Sequence, residues 1–437
     1  MKKHKSAVVR CFLASSKFSL MFLIGWGLCS ELAQAAGPVY GWGGLATTNW
    51  DDTGNWQGGI AAPTGGTNDV TIIITNKANS ILYYTAALGT SVYINSGQGS
   101  SRCLRIGDGS SGTLDITGGT LQTMSSTGDL IGNGAASTGA LIVDGGTYIS
   151  TNGTMVLGAF GATATLTINS GTALVATVTS GTGSTGPTSS TINLNGGLLQ
   201  LRALTMTVAG PLNVNLAGGT LQAAANTASW LVSASSTYNV NGPVTFDTQA
   251  YNVTNNATLS GGGSVTKIGA GVLALNGSNS LSGGVVLNDG YLYINHANAL
   301  GTGAFTINGG ILNSAAGVTN LGDNALNWNS DVTFSGSKDL GLGSGLVTMS
   351  SNRTVTVNAS TLTIGGVITG YVNSTSLNAF DITKAGSGIL TLTADIATLR
   401  AGQTNTVSAG TENVNGAISG SSLNVFDVVK AGAGTVN

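Results

Sequence analysis

The sequence predicts an all-β chain wound as a β-solenoid, with about three short strands per coil. Three observations carry that expectation. The composition is hostile to helix, and short runs alternate apolar and polar residues. Similar segments also recur, at steps inside the roughly 20–50-residue range of solenoid periods.

Composition comes first. Of 437 residues, 68 are Gly, roughly double the usual share of about 7%. Charged residues make up 7% of the chain, against about 25% in an ordinary soluble domain. Glu31 and Glu412 are the only glutamates, so strong helix formers are nearly lacking. Collagen is excluded, because Gly has no three-residue period and there are only 5 Pro. Simple disorder is excluded by a 41% hydrophobic fraction and a mean hydropathy of +0.27.

The repeats follow. TLDITGGTLQT from Thr113, ALIVDGGTYIS from Ala140, TLTINSGTALV from Thr165, TINLNGGLLQL from Thr191 and VNLAGGTLQA from Val214 share one layout. Each is an alternating run, a polar-Gly turn at Gly118, Gly145, Gly171, Gly196 or Gly218, then a second run. A third element precedes three of these turns: CLRIGDGSSG from Cys103, DLIGNGAASTG from Asp129 and MVLGAFGATA from Met155. Period-two alternation bounded by Gly, Asn and Asp is the strand signature. Antiparallel hairpins also fit the N-G-G and D-G-G turns, but each would leave an apolar face uncovered. A solenoid covers that face with the next coil, with Val, Ile and Leu inward and Thr, Asn and Ser outward.

Residues 1–35 read as a secretory signal. Lys2, Lys3, Lys5, Arg10 and Lys17 precede an apolar run from Phe18 to Leu28, and Ala33-Gln34-Ala35 supplies the small-x-small pattern. That run is shorter than the ~20 residues of a membrane span. With Glu31 this segment carries a net +4, which leaves −6 for the rest of a chain whose formal charge is −2. Scattered, weakly acidic charge argues against nucleic-acid binding, which needs a basic stripe. Cys11 and Cys29 leave with the signal, so Cys103 has no internal disulfide partner and reads as a small buried residue. Residues 36–100 read as an N-terminal cap and first coils, and 101–260 as solenoid repeats.

From Gly261 to the end at 437 the pattern changes. VTKIGAGVLAL from Val265, ITKAGSGILTL from Ile382 and VVKAGAGTVN from Val428 repeat a lysine followed by alternating Gly. A longer match joins GVITGYVNSTSLNAFDITKAGSGI from Gly366 to GAISGSSLNVFDVVKAGAGT from Gly416. These residues resemble the autotransporter-associated β-strand repeat of bacterial surface proteins. Lys267, Gly269, Gly271, Leu273, Leu275 and Gly277 match its first part; Gly283, Gly284, Asn288, Gly290 and Leu292 its middle; Ala299, Leu300, Gly301, Gly303, Gly309 and Gly310 its end. The resemblance implies a right-handed parallel β-helix in an exported passenger region of a Gram-negative cell surface, associated with the outer membrane. A family member would end in a membrane barrel. This sequence stops at KAGAGTVN, within a repeat, and so reads as a fragment whose translocator or barrel is encoded downstream.

Chemistry-bearing residues are sparse. Asp108, Asp115, Asp129, Asp144 and Asp289 read as single turn residues, and Asp115 and Asp144 sit at different offsets from their turns. Paired carboxylates for glycoside hydrolysis are therefore not expected. Lys267, Lys384 and Lys430 read as solvated corner lysines that discourage edge pairing. His296 has no second His nearby, and a calcium nonapeptide is not repeated, so neither a metal nor any cofactor is expected. Trp42, Trp50, Asp51, Asp52 and Trp56 form the one aromatic-acid group. It reads as an N-terminal cap, with glycan contact as the functional alternative.

These readings converge on a non-catalytic, secreted or surface-displayed β-helix acting as a structural stalk or adhesin. Its expected partners are glycans or surface proteins, not nucleic acid. The alternatives are a carbohydrate-active β-helix enzyme, lyase or hydrolase, and a carbohydrate-binding module centred on the tryptophans.

Overall fold

The computed structural model describes residues 104–123, 128–181, 186–206, 210–232, 236–319, 321–370, 380–393 and 404–414. It also describes strands Val39–Trp42, Gly66–Asp69, Thr71–Ile74, Leu82–Tyr84, Val92–Asn95, Val372–Asn373, Ser376–Leu377 and Asp427–Lys430, with residues 433 and 435–437. Among the described residues there is no helix, and parallel strands stack as a β-solenoid of about 11 turns. One antiparallel pair joins Val372–Asn373 to Ser376–Leu377.

Each residue pairs with the residue one turn onward. Thr113 pairs with Ala140, Ala140 with Thr165 and Thr165 with Thr191, which matches the spacing of the repeats. Further along the turn tightens, as Val265 pairs with Val285 and Val285 with Phe305. Successive turns lie ~4.8 Å apart along the axis. The alternation seen in sequence becomes alternation in burial: SSTINL at Ser189–Leu194 runs half-buried, buried, half-buried, buried throughout.

This register stacks like on like. One inward column reads Leu114, Leu141, Leu166, Ile192, Val214, Tyr238, Leu259, all essentially without solvent exposure. A second reads Leu199, Leu221, Phe246, Lys267, Leu287, Ile307, Trp328, Met349. Burying a Val, Leu, Ile or Phe side chain contributes roughly 1.5–3 kcal/mol, so these columns are the main source of cohesion. Trp230 packs edge-on against Phe246 with ring centroids 5.5 Å apart. Outward, one column runs Thr220, Thr245, Thr266, Val286, Thr306, Asn327, Thr348, rich in β-branched residues suited to a half-exposed pleated surface.

Two of the three corner lysines, Lys267 and Lys384, are not solvated. Lys267 and Lys384 are both 0% exposed. The stem of Lys267 fills the inward column between Phe246 and Leu287. Its Nζ donates to the carbonyls of Ile268 (2.9 Å), Gly269 (2.6 Å) and, one turn on, Asp289 (3.0 Å). Lys384 repeats the geometry with Ala385 (2.7 Å), Gly386 (2.8 Å) and Ala409 (3.2 Å). The motif explains itself: the Gly two places after each lysine adopts a left-handed backbone, Gly269 at φ 81° and Gly386 at φ 78°. That turn leaves two corner carbonyls within reach of the ammonium. A Cβ on Gly290 or Gly410 would stand 2.8 or 2.9 Å from the respective Nζ, so Gly is required above the charge as well. Sequence pattern alone does not separate a buried lysine from an exposed one, because the three acceptors are backbone. Lys430 ends Asp427–Lys430, which pairs with Thr404–Val407.

The two lysine motifs lie one face apart. The strand of Lys267 follows Val244–Asp247 in its column, whereas that of Lys384 follows Arg353–Val357 on the next face. The turn between Arg353 and its partner Ile382 is enlarged and contains the antiparallel pair at 372–377. The motif is thus a corner device that works on either face.

Other buried polar groups tie corners in the same way. Asn279 accepts from Leu259 N at 2.8 Å and donates to Ala299 O at 2.6 Å. Asn324 donates to Gly301 O and Gly303 O at 2.9 and 2.7 Å. Arg353 Nε donates to Trp328 O at 2.9 Å.

Lys267→Met keeps the apolar stem but removes the ammonium. Among the described residues this leaves the Asp289 carbonyl without a donor and the Ile268 and Gly269 carbonyls with Thr248 alone. The substitution is expected to cost about 3 kcal/mol. Hydrogen exchange should accelerate in the turns between 265 and 294, with amides at 382–407 unaffected, because solenoid turns couple mainly to neighbours. Unchanged exchange at 265–294 would contradict this role.

Candidate functional site

The aromatic-acid group expected from sequence falls mostly outside the described residues. Trp42 ends strand Val39–Trp42 and pairs with Ile74. Trp50, Asp51, Asp52 and Trp56 lie outside the described residues, as does Cys103.

The aspartates divide by environment. Asp108 forms an ion pair with Arg105 at 3.0 Å. Asp129, read from sequence as a single turn residue, is 0% exposed. Its carboxylate accepts from Leu104 N (3.0 Å), Thr123 Oγ1 (2.5 Å), Tyr148 Oη (2.5 Å) and Ser150 Oγ (2.7 Å). Burial and the adjoining carboxylate hold the Tyr148 phenol well above its usual range. Surrounded by donors from neighbouring turns, Asp129 is an interior tie.

Asp115 is different. It is 8% exposed, and its Oδ1 meets no hydrogen-bond partner among the described residues. Burial, and after it the charge of Asp144, push its carboxyl up to about 6. Asp115 pairs in register with Ile142, while Asp144 is exposed and accepts from Ser170 Oγ at 3.1 Å. The two carboxylates therefore occupy different register positions, as their offsets in sequence suggest, yet still sense each other's charge. Among the described residues no three of His, Cys, Asp or Glu gather as a metal site. His296 Nδ1 accepts from Asn298 N at 3.0 Å.

A shallow groove of about 560 Å³ crosses several turns on the face that carries strands Thr227–Leu231, Val253–Asn255, Val272–Leu275, Tyr291–Ile294 and Ile311–Asn313. Lys267 positions it, because the corners fixed by that lysine lead directly into Val272–Leu275 and Tyr291–Ile294. One edge is an amide ladder. Asn256 donates to Ala228 O (3.0 Å), Asn276 to Asn256 (2.9 Å) and Asn295 to Asn276 (2.9 Å), and Asn295 accepts from Ala315 N (2.9 Å). On the other edge Asn226 and Asn252 each use Oδ1 to hold a backbone N–H of the next turn, at 2.7 and 3.2 Å. The floor comes from one outward column, in which Thr254, Ala274 and Tyr293 are register partners. Ala274 beside the half-buried Tyr293 makes the depression, and every lining side chain is uncharged.

No contiguous sequence motif announces this groove. The available signal is the recurrence of Asn256, Asn276 and Asn295 at the turn period, which becomes a ladder only once the register is known. No family model, curated protein or solved structure matches the chain.

Between pH 3.8 and about 6, folded Asp115 retains a proton that the unfolded chain has released. Its contribution to stability therefore falls as pH rises through that window. Asp115→Asn removes the effect. The variant should gain stability relative to the native chain from pH 3.8 to about 6, measured by denaturant unfolding at several pH values. A difference independent of pH would contradict the assignment.

Proposed function

We propose that this chain is a non-catalytic, secreted or surface-displayed β-helix protein: a rigid stalk whose side face makes adhesive contacts. The observation that carries this reading is the set of side-chain ladders crossing turns on the outer surface. Thr167, Asn193, Asn215 and Asn239 bond in series at 3.2, 2.9 and 3.1 Å, and Asn288, Asn308 and Asn329 do so at 2.8 and 2.8 Å. Such rows stiffen the stack and present regularly spaced amides, the surface wanted for many weak polar contacts. The export-type N-terminus and the resemblance to autotransporter-associated repeats support a Gram-negative cell-surface setting, with glycans or surface proteins as partners and an outer-membrane translocator or barrel for export.

One observation favours a second reading, a carbohydrate-active β-helix enzyme. Asp115, pushed up to about 6 by burial and then by the charge of Asp144, has the raised carboxyl that a general acid in glycoside hydrolysis needs. Its near-complete burial weighs for an interior role.

Solution scattering tests the stalk. About 11 turns at ~4.8 Å each make a rod at least ~50 Å long, and the distance distribution should be correspondingly elongated. The chain made with its own N-terminus in a Gram-negative host should leave the cytoplasm and begin at Ala36. A compact, isotropic particle would contradict the stalk, and a cytoplasmic product that keeps its original N-terminus would contradict export.

A further inference from the structure

The groove lying over Thr254, Ala274 and Tyr293 has the chemistry of a glycan site, and we propose that it binds an uncharged polysaccharide chain laid along the solenoid. This rests on the adhesive part of the function proposed above and gives it a place and a ligand class.

Three features of the groove select that ligand. The first is its polar edges. Asn226 and Asn252 spend their Oδ1 atoms on backbone N–H groups of the following turn, and their amide nitrogens donate to no group among the described residues. They stand as hydrogen-bond donors at the groove. Across from them Asn276 and Asn295, the ladder members that line the groove, each use one amide N–H within the ladder and keep a second for a ligand. Amide donors thus line both sides, matched to the hydroxyl oxygens of a sugar, and each amide oxygen keeps a second lone pair.

The second is the floor. Ala274 and the half-buried ring of Tyr293 are adjacent register partners. A short side chain beside an aromatic one gives an apolar step on which the C–H face of a sugar ring can rest. Val272 and Asn276, which both line the groove, are separated by four residue steps, or ~13 Å of strand, wide enough for a pyranose ring and its hydroxyls. From Asn226 to Ala315 the groove follows four successive turn-to-turn steps, ~19 Å along the axis, long enough for several sugar units.

The third is charge. Each lining residue is neutral, so an acidic polysaccharide would give up hydration with no cation to receive it. An extended protein segment would need free strand edges, and here the backbone is already paired on both sides of each turn.

The test is titration calorimetry of the native chain with neutral hexasaccharides of the β-glucan, xylan, mannan and chitin series, and with oligogalacturonate as the acidic probe. At least one neutral hexasaccharide should bind saturably. Tyr293→Ala should weaken that binding about tenfold, equivalent to ~1.4 kcal/mol, with Tyr293→Phe retaining it. Thr254→Arg should abolish it by filling the groove. Thr306→Ala, on another face, should leave it unchanged. Binding by none of the neutral probes, binding unaffected by Tyr293→Ala and Thr254→Arg in folded variants, or preference for oligogalacturonate would overturn the proposal. An elongated particle that binds no neutral probe removes the groove and leaves the stalk, whereas a compact particle removes the stalk itself.

Discussion

Backbone pairing between each residue and its counterpart one turn onward constrains everything else in this molecule. In a parallel stack that pairing fixes which side chains sit above one another. Small and large residues, polar and apolar ones, are then sorted into columns along the axis. The inward Leu, Ile and Val columns and the outward Thr and Asn columns are two consequences of one register. Turn length varies, from the short step between Val265 and Val285 to the long one between Arg353 and Ile382, yet the strand columns persist. The change in length is taken up largely at the corners, with one irregularity inside a strand, where Thr227–Leu231 pairs with the shorter Val253–Asn255.

Corners are the weak point of such a design. Strand residues satisfy their own N–H and C=O groups, but a tight turn faces some carbonyls inward, away from water. An unpaired buried carbonyl costs about 1–3 kcal/mol. The chain meets this with a small set of buried polar side chains. Lys267 and Lys384 each serve two carbonyls of their own corner and one of the next. Asn279, Asn324 and Arg353 do related work. Asp129 does the converse, collecting donors. Burial draws the Lys267 ammonium down to about 8, against the opposing charges of Asp289 and Asp247. Few charges are present in the chain, and several of them are interior fasteners.

Much of the fold is legible in sequence because its cause is local. Alternation in TLTINSGTALV fixes which residues face inward, and Gly at the turns supplies the left-handed backbone that corners need. The period follows from lining up similar segments. The lysines mislead for a physical reason: a corner Lys is ordinarily solvated, and the acceptors that hold it inside are carbonyls, which leave no mark in sequence. Asp129 misleads likewise, since its side-chain donors Thr123, Tyr148 and Ser150 are scattered along the chain and meet only when turns stack. The groove leaves only the recurring Asn256, Asn276 and Asn295 in sequence, because it takes residues from several turns and exists only where Ala274 falls beside Tyr293. The tryptophan group draws notice as the densest aromatic cluster, a compositional cue that carries no register.

The outward column offers the most direct measurement of the register itself. Thr245 and Thr348 are linked by five successive pairings, which place them ~24 Å apart along the axis. Spin labels attached at these two positions should give a single narrow distance distribution near that value by pulsed electron resonance, and moving the label from Thr348 to Thr306 should shorten it by two turns. A broad distribution, or a distance that does not change by whole turns, would mean that the turns do not stack as described.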